Sequence, residues 1–240
     1  MKILFFSVVL TLICYSSPKA SSFDHSEFDT LLRKNVNSKG MVNYKGFKND
    51  SFYKYLDKIA KADITKFSKM EKLAFYINAY NALVIKNIID HHNIHSPLDV
   101  DGFFKKIKFK VAGKQITLDE LEHQYTLKID GVLPHFGLVC GAKSCPKILP
   151  KAYNGKSVIT DLKKNAKEFL ANPKKNYFDK SENILYLSEI FNWFKNYFIS
   201  KHGTIINAVK ILSQNKIWQK NLSESTKIKY LNYDWKLNAQ

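Results

Sequence analysis

One segment of the sequence is apolar on every side of a helix. Residues 69–89 have the length and composition of a helix, but their large apolar side chains surround the whole circumference. A helix with this pattern is buried, so the segment is predicted to run through the interior of the fold. Asn78 and Asn81 enter the interior together at the i,i+3 spacing. There, an amide without hydrogen-bond partners costs about 1–3 kcal/mol.

The remaining patterns alternate between hairpins and short helices. Two pairs of alternating segments flank short turns, as expected of hairpins. The predicted strands are residues 108–111, 115–117, 177–178 and 184–187, followed by a closing strand at 228–230. The predicted helices begin at Leu118, near Ser157 and at Ser188, and a last one covers residues 205–212. This interleaving predicts an α+β fold, a single domain of mainly helices packed around a small, mostly antiparallel sheet.

The first residues have the pattern of a secretory signal peptide. Lys2 precedes an apolar run of about a dozen residues, too short for the roughly 20 of a membrane-spanning helix. Small residues follow between positions 16 and 22, where cleavage is expected. We therefore predict a signal peptide over residues 1–20 and one domain over residues 23–240. Because of the signal peptide, we expect the mature protein to be exported, either periplasmic or secreted. Because the domain has no second apolar segment of spanning length, we expect no transmembrane segment in the mature chain.

The chain is strongly basic, with a formal net charge of +17 at pH 7. Such a charge can attract a protein to an anionic envelope surface. Nucleic-acid readers depend on the planar guanidinium group, however, and Arg33 is the only arginine in the sequence. We therefore predict a solvated basic surface and no nucleic-acid partner.

Three histidines raise the question of a metal site. His91 and His95 would share a face if the helix continued, with His92 beside them, but Pro97 indicates that it ends here. A zinc site needs three or four ligands with supporting groups around them, and no thiol or carboxylate is evidently paired with these histidines. We predict neither a metal nor a cofactor.

The thiols left after signal cleavage are Cys140 and Cys145. In an oxidising compartment a pair at this spacing is a reasonable local disulfide. The apolar run at residues 133–140 is predicted to be a central strand, which would point His135 and Cys140 to opposite faces. Pro146 can begin a helical turn, and the amides of such a turn would stabilise a Cys145 thiolate.

A cysteine nucleophile would need further groups around it. It requires a histidine base within hydrogen-bond reach and usually a third group that orients the base. His123 and His135 are the candidate bases. The candidate orienting groups are Glu122, Asn78 and Asn81. On the predicted helix Glu122 lies at the edge of the apolar stripe, whereas His123 points away from it.

Several motifs in one order resemble the family called domain of unknown function 547. The matching stretches are residues 74–83, with an Asn-x-Tyr-Asn signature, the Glu-His helix at 118–123, the His-Phe-x-Leu-x-Cys-x4-Cys-Pro stretch at 135–146, and late motifs at 190–194 and 233–238. The resemblance runs from about residue 31 to residue 238. It implies an unassigned activity. Some members are parts of larger proteins with glutaredoxin-like or signalling modules in reducing compartments, which favours a thiol role.

Three functions remain open. The first is a cysteine-dependent hydrolase or acyl transferase that acts on a peptide or acyl substrate, with Cys140 or Cys145 as the nucleophile. The second is a non-catalytic envelope or extracellular binding module in which the two cysteines form a disulfide. The third is a thiol-redox protein. Free-thiol titration of the mature protein separates the first function from the second.

Overall fold

The computed structural model describes residues 21–240, so the predicted signal peptide lies outside the described residues. The helices are α1 (Ser26–Asn35), α2 (Asp50–Lys61), α3 (Lys69–Asp90), α4 (Leu118–Glu120), α5 (Leu127–Ile129), α6 (Val158–Leu170), α7 (Ile190–Trp193), α8 (Lys195–His202), α9 (Ile205–Ser213) and α10 (Lys216–Asn221). The strands are β1 (Lys108–Val111), β2 (Lys114–Thr117), β3 (Tyr177–Asp179), β4 (Ile184–Ser188) and β5 (Lys227–Leu231). The predicted α+β class is confirmed. Among residues 21–240, no helix combines the length and apolarity needed to cross a membrane.

Helix α3 is the predicted buried helix. Ser68 caps its start by accepting a hydrogen bond from the N–H of Glu71 at 3.2 Å, and the backbone turns extended at His91. Nearly every side chain from Leu73 to Ile89 is buried, and α3 packs against α2 and α6. Because this part of α3 is buried, its asparagine side chains can hydrogen-bond only to the segments packed around it.

The side-chain amides of Asn78 and Asn81 in α3 hydrogen-bond to the backbone of two neighbouring segments. Asn78 donates to the carbonyl of Tyr153 at 2.8 Å and accepts from its N–H at 2.9 Å. Asn81 donates to the carbonyl of Gly137 at 2.9 Å and accepts from the N–H of Val139 at 2.9 Å. The expectation that both amides are buried and satisfied is confirmed. Each side chain therefore acts as a clamp that holds a segment without regular secondary structure by its backbone.

The segment predicted as a central strand, residues 133–140, is not a strand. It forms a 3-10 helix, Leu133–Phe136, and then runs on without regular structure. Pro134 has no N–H to give to a sheet, and the Asn81 clamp takes the place of a strand partner. His135 and Cys140 are therefore not held on opposite faces. The helical turn predicted at Pro146 is also absent.

Two small sheets flank the helices. β1 and β2 form the first predicted hairpin, and its turn uses Ala112 and Gly113 at φ +48° and +79°. β3 and β4 form the second hairpin. β5, however, pairs with β4 in parallel, so the second sheet is mixed rather than antiparallel. Helices α7 to α10 provide the long crossover that a parallel pair requires.

Three helices extend the fold beyond the elements predicted from the sequence, namely α1, α2 and α10. α1 and α2 are joined by aromatic packing, since the rings of Phe28 and Tyr55 stack with centroids 4.9 Å apart and an interplanar angle of 10°. The helix predicted from Ser188 to about Phe198 is divided at Phe194, whose backbone leaves the helical region. Two short helices, α7 and α8, result. Ile190 and Trp193 of α7, together with Phe194 at the break, line a pocket.

Candidate functional site

A cavity of about 410 Å³ opens where α3, the α4–α5 segment, α7 and the C-terminal segment meet. The residues with ionisable or sulfur-containing side chains on one wall are Tyr80, Glu122, His123, His135, Cys140 and Cys145. Its aromatic wall holds Phe104, Trp193, Phe194, Tyr233 and Trp235. Five of the seven predicted site residues therefore lie around one space. Asn78 and Asn81 do not line it, because their amides are used on the backbone of the supporting loops.

Cys140 and Cys145 form a disulfide in the pocket wall, with Cα atoms 6.4 Å apart. Cys145 is 4% exposed, whereas Cys140 is partly exposed. The Cys145 Sγ accepts hydrogen bonds from the N–H of Cys140 and from the hydroxyl of Tyr233, both at 3.1 Å. The Cys140 Sγ lies 3.4 Å from the same hydroxyl. The two cysteines thus differ in exposure, and their sulfurs differ in the number of donors that face them.

The loop between the cysteines is fixed from both sides. Gly141 adopts φ +84°, a conformation that glycine accepts without strain. Lys143 and Ser144 donate backbone hydrogen bonds to Lys236 and Asp234 in the C-terminal segment, at 2.8 and 3.2 Å. On the far side, the ammonium group of Lys175 hydrogen-bonds to the Cys145 carbonyl, and burial lowers the pKa of that lysine to about 8.

A π-helical turn presents two ionisable neighbours to the pocket. Residues Leu121–Thr126 form i→i+5 turns, and the hydroxyl of Thr126 donates to the Leu121 carbonyl at 2.7 Å. Such turns are rare and frequently occur at functional sites. A π turn holds more residues than the 3.6 of an α-helix, so consecutive side chains diverge less. His123 lines the pocket beside Glu122 with 41% of its side chain exposed, and its direction relative to the apolar stripe stays a prediction.

Glu122 is the more buried of the two acids that line the pocket, with 15% of its side chain exposed against 38% for Asp119. Burial raises its pKa to about 7, against the opposing effects of His123 and the Tyr80 hydroxyl. His135 places Nδ1 3.8 Å from the Glu122 carboxylate, but burial lowers the pKa of this histidine to about 3. Its ring packs on Phe194 with centroids 3.9 Å apart. His135 is therefore neutral and cannot form an ion pair with Glu122 at neutral pH.

His123 is held in one tautomer. Its Nδ1 lies 3.0 Å from the carbonyl oxygen of Asp119, which can only accept, so Nδ1 carries the proton of the neutral ring. The lone pair is then on Nε2, as a general base requires. Among the described hydrogen bonds to sulfur, none comes from a histidine. The predicted pairing of a cysteine with His123 or His135 stays a prediction.

Sequence reasoning missed the aromatic groups that complete the pocket. Tyr233 hydrogen-bonds to the disulfide, and burial together with the charge of Glu122 raises the pKa of its hydroxyl. Trp193 and Trp235 pack on Tyr233, with ring centroids 4.7 Å away in each case. The only signal for these residues is that they fall within the late motifs quoted above.

The histidines considered for metal binding lie elsewhere. The Nδ1 of His91 lies 2.8 Å from the carbonyl oxygen of Asn87, and the Nδ1 of His92 lies 3.3 Å from the ammonium of Lys48. Across residues 21–240, no three His, Cys, Asp or Glu side chains are grouped as metal ligands would be.

Comparison with known proteins gives one match. The model of the family described as "Protein of unknown function, DUF547" matches residues 64–170, a segment with α3, the π turn and both cysteines. No curated protein and no solved structure matches the chain significantly. Tyr233, Trp193 and Trp235 lie outside the matched residues. The matched segment supports the resemblance to the DUF547 family that the order of motifs indicates.

Proposed function

We propose that the protein is a thiol–disulfide exchange protein whose redox pair is Cys140 and Cys145. The observation that carries this proposal is that the two cysteines differ in accessibility and in the hydrogen bonds that their sulfurs accept. The partly exposed Cys140 can be attacked from the pocket. The buried Cys145 accepts two hydrogen bonds, from a backbone N–H and from Tyr233. Donors of this kind stabilise a thiolate, and a stabilised thiolate leaves faster.

The exchange proceeds in two balanced steps. A partner thiolate attacks the Cys140 Sγ, the bond between the two cysteines breaks, and its electron pair stays on the Cys145 Sγ. A second partner thiolate then attacks the partner's sulfur in the mixed disulfide and releases Cys140. The pair gains two electrons and two protons, and two partner thiols become one disulfide. The partner class is a small thiol or a peptide thiol.

Glu122 is suited to move the protons of this exchange. Its pKa of about 7 lets it give or take a proton near neutral pH. Its charge acts on the Tyr233 hydroxyl, which donates to the Cys145 Sγ. We place the reaction outside the cytoplasm, in the periplasm or the extracellular space, because the sequence predicts export. There a disulfide is the resting state.

The redox potential tests the proposal. Equilibration in glutathione or dithiothreitol buffers should place the pair between about −270 and −120 mV, the range of exchange proteins. A potential below about −300 mV, typical of structural disulfides, would instead favour the binding-module alternative. The matched variants Cys145→Ser and Cys140→Ser each keep one free thiol and compare how accessible the two sulfurs are from the pocket. The first, which keeps the accessible Cys140, should form a mixed disulfide with an aromatic disulfide dye faster than the second.

A cysteine-dependent hydrolase or acyl transferase is the second candidate. The observation in its favour is the tautomer of His123, which leaves Nε2 as a base in the same pocket. This chemistry needs the reduced protein, because a disulfide sulfur is not a nucleophile. Reduced wild type should then release a burst of product from an activated acyl ester, and both Cys140→Ala and His123→Asn should abolish it. Absence of a burst in the fully reduced protein would exclude this candidate.

A further inference from the structure

We propose that the pocket selects thiol partners that carry an organic cation, such as a primary or quaternary amine. This inference rests on the proposed exchange function and names its substrate class. Two features of the pocket support it. The first is an acid without a cationic partner, and the second is an aromatic wall beside that acid.

The Glu122 carboxylate lacks an ionic partner among residues 21–240. Its only basic neighbour within 4.0 Å is the ring of His135, which is buried among aromatic rings and neutral. Asp119 likewise has only His123 nearby, at 3.8 Å. The titratable and charged groups that face Glu122 across the pocket are Tyr80, Lys105, Asp119, His123, His135 and Tyr233. Of these, Lys105 is exposed. A buried carboxylate is stable when paired, and a cationic ligand would supply the pair.

The aromatic wall matches the same ligand. Trp193, Tyr233 and Trp235 contact one another with ring centroids 4.7 to 5.7 Å apart. Trp193 is 47% exposed, so part of its ring is open to an incoming group. Cations are attracted to the faces of such rings, and tryptophan attracts them best. An amine that enters between this wall and Glu122 would gain both interactions.

The net charge of the protein separates a preference that comes from the pocket from one that comes from the whole molecule. The formal net charge of +17 favours the approach of anions and opposes that of cations. A preference for a cationic partner must therefore come from the pocket itself. A preference produced by the net charge of the protein would favour anionic partners instead.

Three small thiols of similar size test the selectivity. Apart from the thiol, cysteamine carries a cationic group, 2-mercaptoethanol a neutral group and 3-mercaptopropionate an anionic group. The rate of reduction of the Cys140–Cys145 disulfide is measured at pH 8, at equal concentrations of thiolate. Cysteamine should react about tenfold faster than mercaptoethanol, as one charge-assisted contact implies, and mercaptopropionate should be the slowest. In Glu122→Gln the ratio of cysteamine to mercaptoethanol should fall toward one, whereas the exposed-surface control Glu224→Gln should keep it.

A second measurement separates this inference from the function on which it rests. Phenethylammonium, which has no thiol, should quench the tryptophan fluorescence of the oxidised wild type and should do so less in Trp193→Ala. Equal rates for the three thiols, or a higher rate for the anionic one, would overturn the inference and leave the exchange function standing. If no thiol reduces the disulfide, the proposed function fails. Phenethylammonium quenching that depends on Trp193 would still support a cation site.

Discussion

Replacing Tyr233 by phenylalanine removes one hydroxyl and little else. The hydroxyl donates to the Cys145 Sγ at 3.1 Å, and the ring packs on Trp193 and Trp235, a contact that phenylalanine retains. In the oxidised protein the acceptor of this hydrogen bond is a neutral disulfide sulfur. In the reduced protein the acceptor would be a thiolate, which is the stronger acceptor. Tyr233→Phe should therefore destabilise the reduced thiolate state more than the disulfide state.

The size of the effect follows from hydrogen-bond energies. A hydrogen bond to a charged group contributes about 1.5–3 kcal/mol, against about 1 kcal/mol for a neutral pair. The difference between the two redox states is then about 1.4 kcal/mol, which equals about one pKa unit. For a two-electron couple the same energy equals about 30 mV. Since the reduced state is the one that loses stability, Tyr233→Phe should have the more negative potential and the higher Cys145 pKa.

Two assays measure these changes. Equilibration in redox buffers at pH 8 gives the potential, and the pH dependence of alkylation in the reduced Cys140→Ser variant gives the Cys145 pKa with and without Tyr233→Phe. Tyr186→Phe serves as the control, because Tyr186 packs on Tyr177 with centroids 4.5 Å apart, outside the pocket. An unchanged potential, or a shift to a less negative value, would refute the role given to the Tyr233 hydroxyl.

Three further predictions concern stability. The Glu122 pKa of about 7 lies above its ordinary value of 4.5, so the free energy of unfolding should fall as pH rises from about 4.5 to 7. Urea titrations should show a loss of up to about 3 kcal/mol that Glu122→Gln lacks; parallel pH profiles would contradict this. Asn81→Ala leaves a buried carbonyl and N–H unpaired and should cost about 3 kcal/mol; a cost below about 1 kcal/mol would show that the clamp is dispensable. Gly141→Ala forces alanine into φ +84°, with its Cβ 2.7 Å from Ile88 Cδ1. It should cost about 2 kcal/mol or more, and an unchanged thermal midpoint would refute this.

The parts of the fold that depend on local pattern could be predicted from the sequence. Helix α3 and both hairpins follow from apolar periodicity and turn residues within about 20 positions. The strand predicted at residues 133–140 failed because an apolar run shows that a segment is buried and not which partner satisfies its backbone. That partner is Asn81, more than 50 residues away. The parallel pairing of β4 with β5 is equally non-local.

The candidate site could be predicted only as a set of chemical types. Cys140, Cys145, Glu122 and the two histidines can be identified because thiols, acids and imidazoles are the side chains that nucleophilic and acid–base chemistry uses. Tyr233 was not, since a tyrosine near a chain end is usually a packing residue. The π turn that carries Glu122 and His123 could not be predicted either, because it depends on hydrogen bonds that the apolar pattern does not show.

The C-terminal segment that fixes the cysteine loop also determines when the pocket can form. Ala142 forms an antiparallel bridge with Leu237, the N–H of Asn238 donates to the Gly141 carbonyl at 2.8 Å, and Tyr233 covers the sulfurs. Chains are synthesised from the N-terminus, so the cysteines emerge about 90 residues before this cover, roughly 5–20 s at ordinary elongation rates. The wall that Tyr233 adds beside the disulfide can therefore form only after the last residues of the chain have been made and have docked on the cysteine loop.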